Sequence, residues 1–482
     1  MIKRLKSYWH LRKNRFSHSI AHARGSVMTF REKDLWAYYR LGMYASVAQT
    51  DKKVSHRLAL HAKAVSYAAV GDAAKAEETV HAMLKRRDCK PHLVSLSDAL
   101  APYMPELSLK ILANVKAPET LEAALLMRVC NFKAAKRVLK TAFLKQKHLS
   151  QPELFLYSSN AATKMTPQKR LQYLNEFFAF HGVSSVQLKD TALPPSPLNV
   201  KIKDQLPECN GPLVSVLMTT FETGERASVA IESILQQTYK NIELIVIDDA
   251  SNDDTLQIIE EWKRKDARVR FIQLPKNVGT YVAKNIGLLQ AKGEFVTCHD
   301  SDDWSHPLKI ELHVQPLVKN EKLMATISYW IRMQDDGIYY ARPVHPMIRQ
   351  NPSSLLFRRE KVLNEAGLWD CVRTGADSEY IARLKLMYGK SKVKRIRKPL
   401  SLGSHREDSL MTSCSTGYST DSVSPQRLEY WEAWSYWHLD CLQDKKMPSM
   451  SKSIDENMKQ RKFKAPEKII PNSENVQECL KA

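Results

Sequence analysis

Ile242-Glu243-Leu244-Ile245-Val246-Ile247 runs straight into Asp248-Asp249-Ala250-Ser251-Asn252-Asp253, and Phe295-Val296-Thr297-Cys298-His299 runs into Asp300-Ser301-Asp302-Asp303-Trp304. Each is an apolar, β-branched run of strand length that empties into a cluster of carboxylates. In an open α/β sheet the loops at the carboxyl ends of neighbouring strands form the ligand crevice. Carboxylates gathered there suit a divalent cation bound together with an anionic substrate. The pattern points to an enzyme handling a phosphorylated, nucleotide-linked substrate.

Working outward, strands and helices alternate. Leu213 to Met218 predicts a strand, and Ala227 to Gln236 a helix with Val229, Ala230, Ile231, Ile234 and Leu235 on its apolar face. Leu256 to Trp262 predicts a helix, Val269 to Leu274 a strand and Tyr281 to Leu289 a helix. Repeated βα units imply a mostly parallel sheet with right-handed crossovers, which gathers the acidic loops along one edge. The expected fold class is therefore α/β over residues 212–420, preceded by an all-α domain.

That all-α domain is expected over 31–190. From Leu58 to Leu84 small and apolar residues recur at helical spacing around Gly71-Asp72, in the manner of a tetratricopeptide-type hairpin, with a looser echo from Ala124 to Leu139. A repeat and a plain helical bundle both fit. Prolines between Leu193 and Pro212 mark an expected interdomain linker at 191–211. Residues 421–443 should form an aromatic amphipathic helix, and the polar, lysine-rich 444–482 a disordered tail.

Composition is that of a soluble protein: 482 residues, 43% hydrophobic and 26% charged. Apolar runs fall short of the roughly 20 residues of a membrane-spanning helix. The start Met1-Ile2-Lys3-Arg4-Leu5-Lys6 lacks the apolar core of a signal peptide. Eight cysteines are scattered without a C-x-x-C pair, which suits a reducing cytoplasm better than a disulfide framework or a zinc site. The net charge of +21 is concentrated in the basic segment 1–30, with no acid between Lys3 and Arg24, and in Arg383 to Lys398. A solvated basic face is the plain reading. Anionic lipid, an anionic polymer and nucleic acid are the alternatives, the last excluded for want of any accompanying motif. The mixture of basic and aromatic residues in Lys3 to Lys13 suits a peripheral contact with an anionic membrane at its cytoplasmic face.

Between Leu213 and Ser409 the sequence resembles the family 2 glycosyltransferases, over about 200 residues and in five ordered motifs. Met218-Thr219-Thr220-Phe221-Glu222 stands where the family has a P-T-[YF]-N turn, and Ser233 to Tyr239 matches S-[IV]-L-x-Q-[ST]-Y. Asp248 to Asp253 matches D-D-[GA]-S-x-D, Lys284-Asn285-Ile286-Gly287 the [RK]-N-x-G element, and Asp300 to Trp304 the D-x-D-D-x-W loop. The resemblance implies a GT-A fold, with a Rossmann-like and mostly parallel sheet. It also implies an inverting, metal-dependent transferase using a nucleotide-sugar donor, UDP-linked by preference, and a glycan or lipid-linked acceptor, in surface polysaccharide assembly.

By that resemblance Asp302 is the first ligand for Mn²⁺ or Mg²⁺, with Asp300 and Asp303 dividing metal and ribose contacts and His405 near the metal or diphosphate. Asp249 is expected to accept from the base imide, Phe221 to stack on the base, and Thr219, Glu222, Lys284, Asn285 and Ser301 to line the nucleotide site. Asp248 reads better as a turn cap. An inverting transfer needs a general base, and Thr374 to Leu384 occupies the family's [ED]-D-x-[ED] position, which makes Asp377 the first candidate and Glu379 the second. Ala376 replaces an acid there. The plain alternative for Asp377 is a helix N-cap. His299 and His306 should support the acid cluster from behind.

Two other functions compete. A sugar nucleotidyltransferase would need a glycine-rich phosphate loop after the first strand, and Thr219 to Arg226 holds a single glycine. A scaffold whose helical half binds a protein partner and whose transferase half is degenerate would not need Asp249, Asp300, Asp302 and Asp377 together. Acceptor recognition is expected in Met333 to Phe357 and at the basic run 383–398.

Overall fold

The computed structural model describes residues 2–24, 32–50, 53–162, 164–406 and 423–481. Its main sheet is built from β3 (Val214–Thr220), β4 (Ile242–Asp248), β5 (Val269–Gln273) and β6 (Phe295–Cys298), with β7 (Trp304–Ser305), β8 (Ala325–Met333), β9 (Tyr339–Tyr340), β10 (Arg349–Gln350), β11 (Leu356–Arg358) and β12 (Val393–Ser404). A separate ribbon pairs β1 (Val186–Leu188) with β2 (Val200–Ile202). The strand order is β5-β4-β3-β6-β11-β8-β12-β7, with β9 and β10 on β8. The β5-β4-β3-β6 half is parallel, as the βα alternation requires, and antiparallel pairs begin at β11. Successive strands leave β3 on opposite sides, β4 to one and β6 to the other. Such a reversal opens a crevice at the carboxyl ends, and both acidic loops open there.

Both faces of the parallel half are covered, which is why its strands read as unbroken apolar runs. Leu217, Ile245 and Ile247 pack on one side with Tyr281, Val282, Trp369 and Tyr380. Val216, Met218, Leu244 and Val246 pack on the other with Ile231, Ile234, Ile259 and Leu317.

The N-terminal part is helical, as expected. Arg57–Ala69 and Ala73–Leu84 meet at Gly71, whose φ of 89° is left-handed, and Asp72 caps the second helix by accepting from the Lys75 N–H at 3.2 Å. Glu119–Arg128 and Phe132–Leu144 repeat that geometry, with Cys130 at φ 60° and Asn131 accepting from the Ala134 N–H at 3.2 Å.

Three features bear on the domain organisation, and the last corrects the expected disordered tail. The proline-rich break is no free tether: the Asn199 amide donates to the carbonyls of Asp190, Leu193 and Pro194, tying the β1–β2 ribbon shut. The helical part also shares a core with the sheet, since Leu139, Phe177, Phe178 and Val186 pack in one cluster with Trp304, Ile331, Leu400 and Leu402. Third, the tail folds. Helices Ile454–Lys459 and Ser473–Lys481, with the turn Glu467–Ile469 between them, bury Ile454, Ile469, Val476 and Cys479 in the core that holds Trp369 and Tyr380. Arg461 binds the Asp370 carboxylate at 2.6 Å, and the Arg373 N–H donates to the Ile469 carbonyl at 2.7 Å. A few well-spaced apolar residues suffice because a ready-made apolar surface receives them.

The tail docks through Gly367, which has φ 78° and would press a side chain into the Met450 carbonyl. Gly367→Ala should cost at least about 2 kcal/mol, combining left-handed strain with that collision. It should also expose the lysines beyond Lys445 to trypsin. An unchanged melting temperature with an unchanged tryptic pattern would contradict this docking.

The aromatic helix forms at Pro425–Gln443 and buries Tyr430, Trp434 and Leu439. The boundary expected at 420/421 lies outside the described residues. Among the described residues no helix is long and apolar enough to cross a membrane, and the described cysteines are unpaired.

Candidate active site

Asp248 and Asp249 sit at the end of β4 with different duties. Fully buried Asp248 builds the turn: its Oδ1 accepts from the Thr220 and Ser251 hydroxyls and its Oδ2 from the Ser251 N–H at 2.9 Å. The turn requires a positive φ at Ala250 (65°), which suits a small residue. Asp249 accepts from the Val278 N–H through Oδ1 and the Gly279 N–H through Oδ2, each at 2.7 Å. Burial pushes its carboxyl up to about 6, against the pull of those two donors and of Arg373. Each oxygen keeps a second lone pair for a ligand.

Opposite, the β3 loop presents Phe221, 43% exposed, a large ring left open to solvent. Glu222 holds φ 47°, a conformation an asparagine tolerates better, and its N–H donates to Ser251 Oγ at 2.9 Å. The hydroxyls of Thr219 and Thr280 pair at 2.8 Å and those of Thr223 and Ser301 at 3.1 Å, so Ser301 ties the acidic loop to the β3 loop.

Lys284 links the acidic loop to the expected base. Its buried ammonium lies 3.7 Å from Asp300 Oδ1 and 3.7 Å from Asp377 Oδ2. Burial works to lower its pKa, but Asp377 and Asp300 together raise it, so it stays charged. Asp300 also accepts from Ser353 Oγ at 2.6 Å. Asp377 lies in the first turn of Ala376–Tyr388, where Gly375 at φ 92° is the N-cap, so the capping alternative for Asp377 does not hold. Its side chain is 16% exposed; burial raises its carboxyl while Lys284 and the Tyr281 hydroxyl oppose the rise.

Asp302 and Asp303 complete the acidic face. Arg406 Nε lies 3.2 Å from Asp302 Oδ2. Asp303 Oδ1 accepts from the Ser404 N–H at 2.9 Å, while its buried Oδ2 has no partner among the described residues. Burial and neighbouring carboxylates raise both groups, Asp303 most strongly. An orphaned carboxylate oxygen in a repelling acidic group is a fit for a hard divalent cation. Among the described residues no three such side chains converge as a ready-made metal cage. The fit is therefore to a cation held by one or two carboxylates and completed by substrate phosphates, the usual magnesium arrangement. Behind the loop, His299 contacts the Asp303 carbonyl at 3.2 Å and the Lys309 ammonium at 3.4 Å. His306 contacts the Ser184 carbonyl at 3.1 Å.

Two expected site residues are corrected. Asn285 turns into the core, where its amide donates to the Trp369 carbonyl at 2.9 Å and accepts from the Trp369 N–H at 3.0 Å. It holds Trp369 and does not line the crevice. Glu379, fully buried, is bound by Arg383 at 2.6 Å and His438 at 2.9 Å. It is a core ion pair, not a second base, and it removes Arg383 from the basic run expected to meet the acceptor.

His405 stacks on Tyr340 with ring centroids 3.5 Å apart, and its buried Nδ1 lacks a partner among the described residues. Burial first, then Arg332, lowers it to about 4, so it is a neutral ring. Residues 407–410, which adjoin it in the family-like segment, lie outside the described residues. Four site neighbours escaped the sequence reading: Arg406, Lys309, Ser353 and Arg373. Arg406 was signalled by its place beside His405 and Lys309 by following the acidic loop closely; Ser353 and Arg373 are brought in by distant parts of the chain.

Residues 215–375 match the family model for Glycosyl transferase family 2. An uncharacterized glycosyltransferase of Haemophilus influenzae is 38% identical over 120 residues, covering 25% of this chain and 48% of that one. GlyG of Streptococcus pneumoniae is 35% identical over 128 residues, 27% of this chain and 42% of that one. A Bacillus subtilis glycosyltransferase provisionally assigned to teichuronic acid biosynthesis, TuaG, is 30% identical over 124 residues, 26% and 49%. The chain thus spans less than half the length of these relatives. Among solved structures, Staphylococcus aureus TarS 1-349 with UDP-GlcNAc aligns at a TM-score of 0.37 and 19% identity, over 48% of this chain and 66% of that one. The mannosyltransferase PcManGT of Pyrobaculum calidifontis, with GDP-Man and Mn²⁺, aligns at 0.31 and 17%, over 56% and 66%.

Proposed function

We propose that this chain is an inverting glycosyltransferase that moves a sugar from a nucleotide diphosphate donor, UDP-linked by preference, to a hydroxyl of a glycan or lipid-linked acceptor. The observation that carries it is the Asp300–Lys284–Asp377 bridge, which joins an acidic, cation-suited loop to a carboxylate at the start of a helix across a single buried lysine.

In this reading Phe221 stacks on the base, Asp249 accepts from its imide, and Thr219 and Ser301 line the nucleotide crevice. Asp302 and Asp303, with Asp300, would hold Mn²⁺ or Mg²⁺. When bound, that ion neutralises charge on the departing diphosphate. Arg406, now on Asp302, is placed to meet the same phosphates. Asp377 takes the proton of the acceptor hydroxyl; the hydroxyl oxygen bonds to the anomeric carbon from the face opposite the diphosphate, which leaves with the electron pair of the broken bond. Lys284 keeps the charge of Asp377 compensated while the proton is taken up. The acceptor is expected along Met333 to Phe357, where the helical part braces the wall: Glu153 accepts from the Ile348 N–H at 2.9 Å and Thr120 meets His345 at 3.1 Å. Work on a surface polysaccharide at the cytoplasmic membrane face fits the basic exterior and the name of the Bacillus relative.

The test is nucleotide release across a panel of UDP-, GDP-, CDP- and dTDP-sugars with Mn²⁺ or with EDTA. One donor should turn over, only with metal, and not in Asp302→Ala. If no donor turns over and none raises the melting temperature, the scaffold reading replaces this one. A pH series supplies a second check. Asp249 must be ionised to accept from the imide, and its carboxyl lies at about 6, so UDP affinity should fall as pH drops through about 6. Affinity that stays flat from pH 8 to 5 would remove Asp249 from the base site.

A further inference from the structure

The two basic runs, near the start of the chain and within 383–398, meet in the folded protein. Lys390 Nζ donates to the Asn14 carbonyl at 2.7 Å and lies 5.6 Å from the centroid of Phe16. The Arg40 guanidinium lies 5.1 Å from that same ring, so two cations share one phenyl ring. Arg15 and Arg395 stand close by, and all four cations are exposed. Lys390 is lowered by burial and then by Arg40, Arg395 and Arg15; Lys385 is lowered to about 8 by burial, Arg395 and Lys390. Among the described residues no carboxylate stands among the charges acting on either lysine. Such a cluster repels itself and is a standing site for an anion.

An apolar face adjoins it. Leu5, Tyr8 and Trp9 of the first helix, Ile2–Arg12, are 63%, 44% and 49% exposed. Their spacing places them on one side. The helix is held by its other side: Ser7 and Ser19 exchange hydroxyl-to-carbonyl hydrogen bonds at 2.8 and 2.9 Å, and Phe16 and Ile20 of Phe16–Arg24 pack with Met43 and Leu439. The exposed trio is thus turned outward from a docked hairpin. Arg15 lies over the Trp9 ring at 5.4 Å, which makes the apolar and cationic parts continuous.

We propose that this face, with Leu5, Trp9, Arg15, Arg40, Lys390 and Arg395, docks on an anionic phospholipid surface. The apolar side chains enter the headgroup boundary and the cations take lipid phosphates. Exposed aromatic and aliphatic side chains edged by uncompensated cations are the chemistry of an interfacial helix. Charge complementarity selects an anionic bilayer, and the apolar trio gives that bilayer something to bind that a soluble polyanion would leave in water. The inference stands independently of the transferase reading.

Co-sedimentation of the full chain with phosphatidylcholine vesicles, with and without phosphatidylglycerol, tests it. Binding should require the anionic lipid and weaken as salt rises. Lys390→Gln with Arg395→Gln should lower the partition coefficient about 25-fold, at about fivefold per cation. Trp9→Ser should weaken binding while keeping its salt dependence. The replaced side chains are exposed, so circular dichroism and the melting temperature should match wild type. The proposal is overturned by equal partition on neutral and anionic vesicles, by an unaffected double variant, or by binding to soluble polyglutamate with none to vesicles.

Discussion

Asp377→Asn is expected to lower kcat by about 10²–10⁴-fold, the usual worth of a general base, with little change in nucleotide affinity or melting temperature. Asn keeps the shape of the side chain but cannot take the acceptor proton. Lys284 retains Asp300 as a partner at 3.7 Å, so the substitution leaves no isolated buried charge. Nucleotide release with saturating donor and acceptor reads the effect, and nucleotide titration with thermal unfolding reads the controls. Turnover within a few-fold of wild type would give the proton to another group.

Two positions along the same helix the expected result is the opposite. Glu379→Gln should destabilise the fold by about 3–5 kcal/mol, because it leaves Arg383, fully buried, without its counter-ion. Burial by itself would raise the Glu379 carboxyl; Arg383 and His438 overcome that and hold it at about 2, below its ordinary 4.5. The sign follows from the depressed value. The stabilisation is complete above about pH 4.5 and is lost as pH falls from there towards 2. Wild type should therefore lose part of its margin over Glu379→Gln across that acid window. Equal denaturant midpoints at neutral pH would contradict the buried pair. Equal kcat per folded molecule is expected, since Glu379 does not reach the crevice.

The contrast between these two acids was available from the sequence. Residues two apart on a helix do not share a face, so Asp377 and Glu379 could not both meet one acceptor. The same reasoning separates Lys284 from Asn285, adjacent on the Thr280–Gln290 helix, where one reaches the carboxylates and the other clasps Trp369. Local pattern was most informative in β3 to β6, where burial on both faces leaves little choice of residue. It was also sufficient to separate Asp248 from Asp249, because an Asp three residues before a Ser at the end of a strand suits a capped turn. What local pattern could not show were contacts made by remote segments: Ser353 on Asp300, Arg461 on Asp370, and the tail on Gly367. Those depend on which surfaces the completed sheet leaves open. The tail reads as polar because few of its residues, Ile454, Ile469, Val476 and Cys479 among them, are buried in the core.

The central claim is that the carboxylates at the ends of β4 and β6 form one nucleotide diphosphate site completed by a divalent ion. Calorimetric titration of UDP into the full chain, with Mn²⁺ and with EDTA, tests it most directly when run beside Asp302→Ala. The account predicts binding that requires Mn²⁺ and is lost in the variant. UDP binding of equal strength with EDTA and in Asp302→Ala would contradict it.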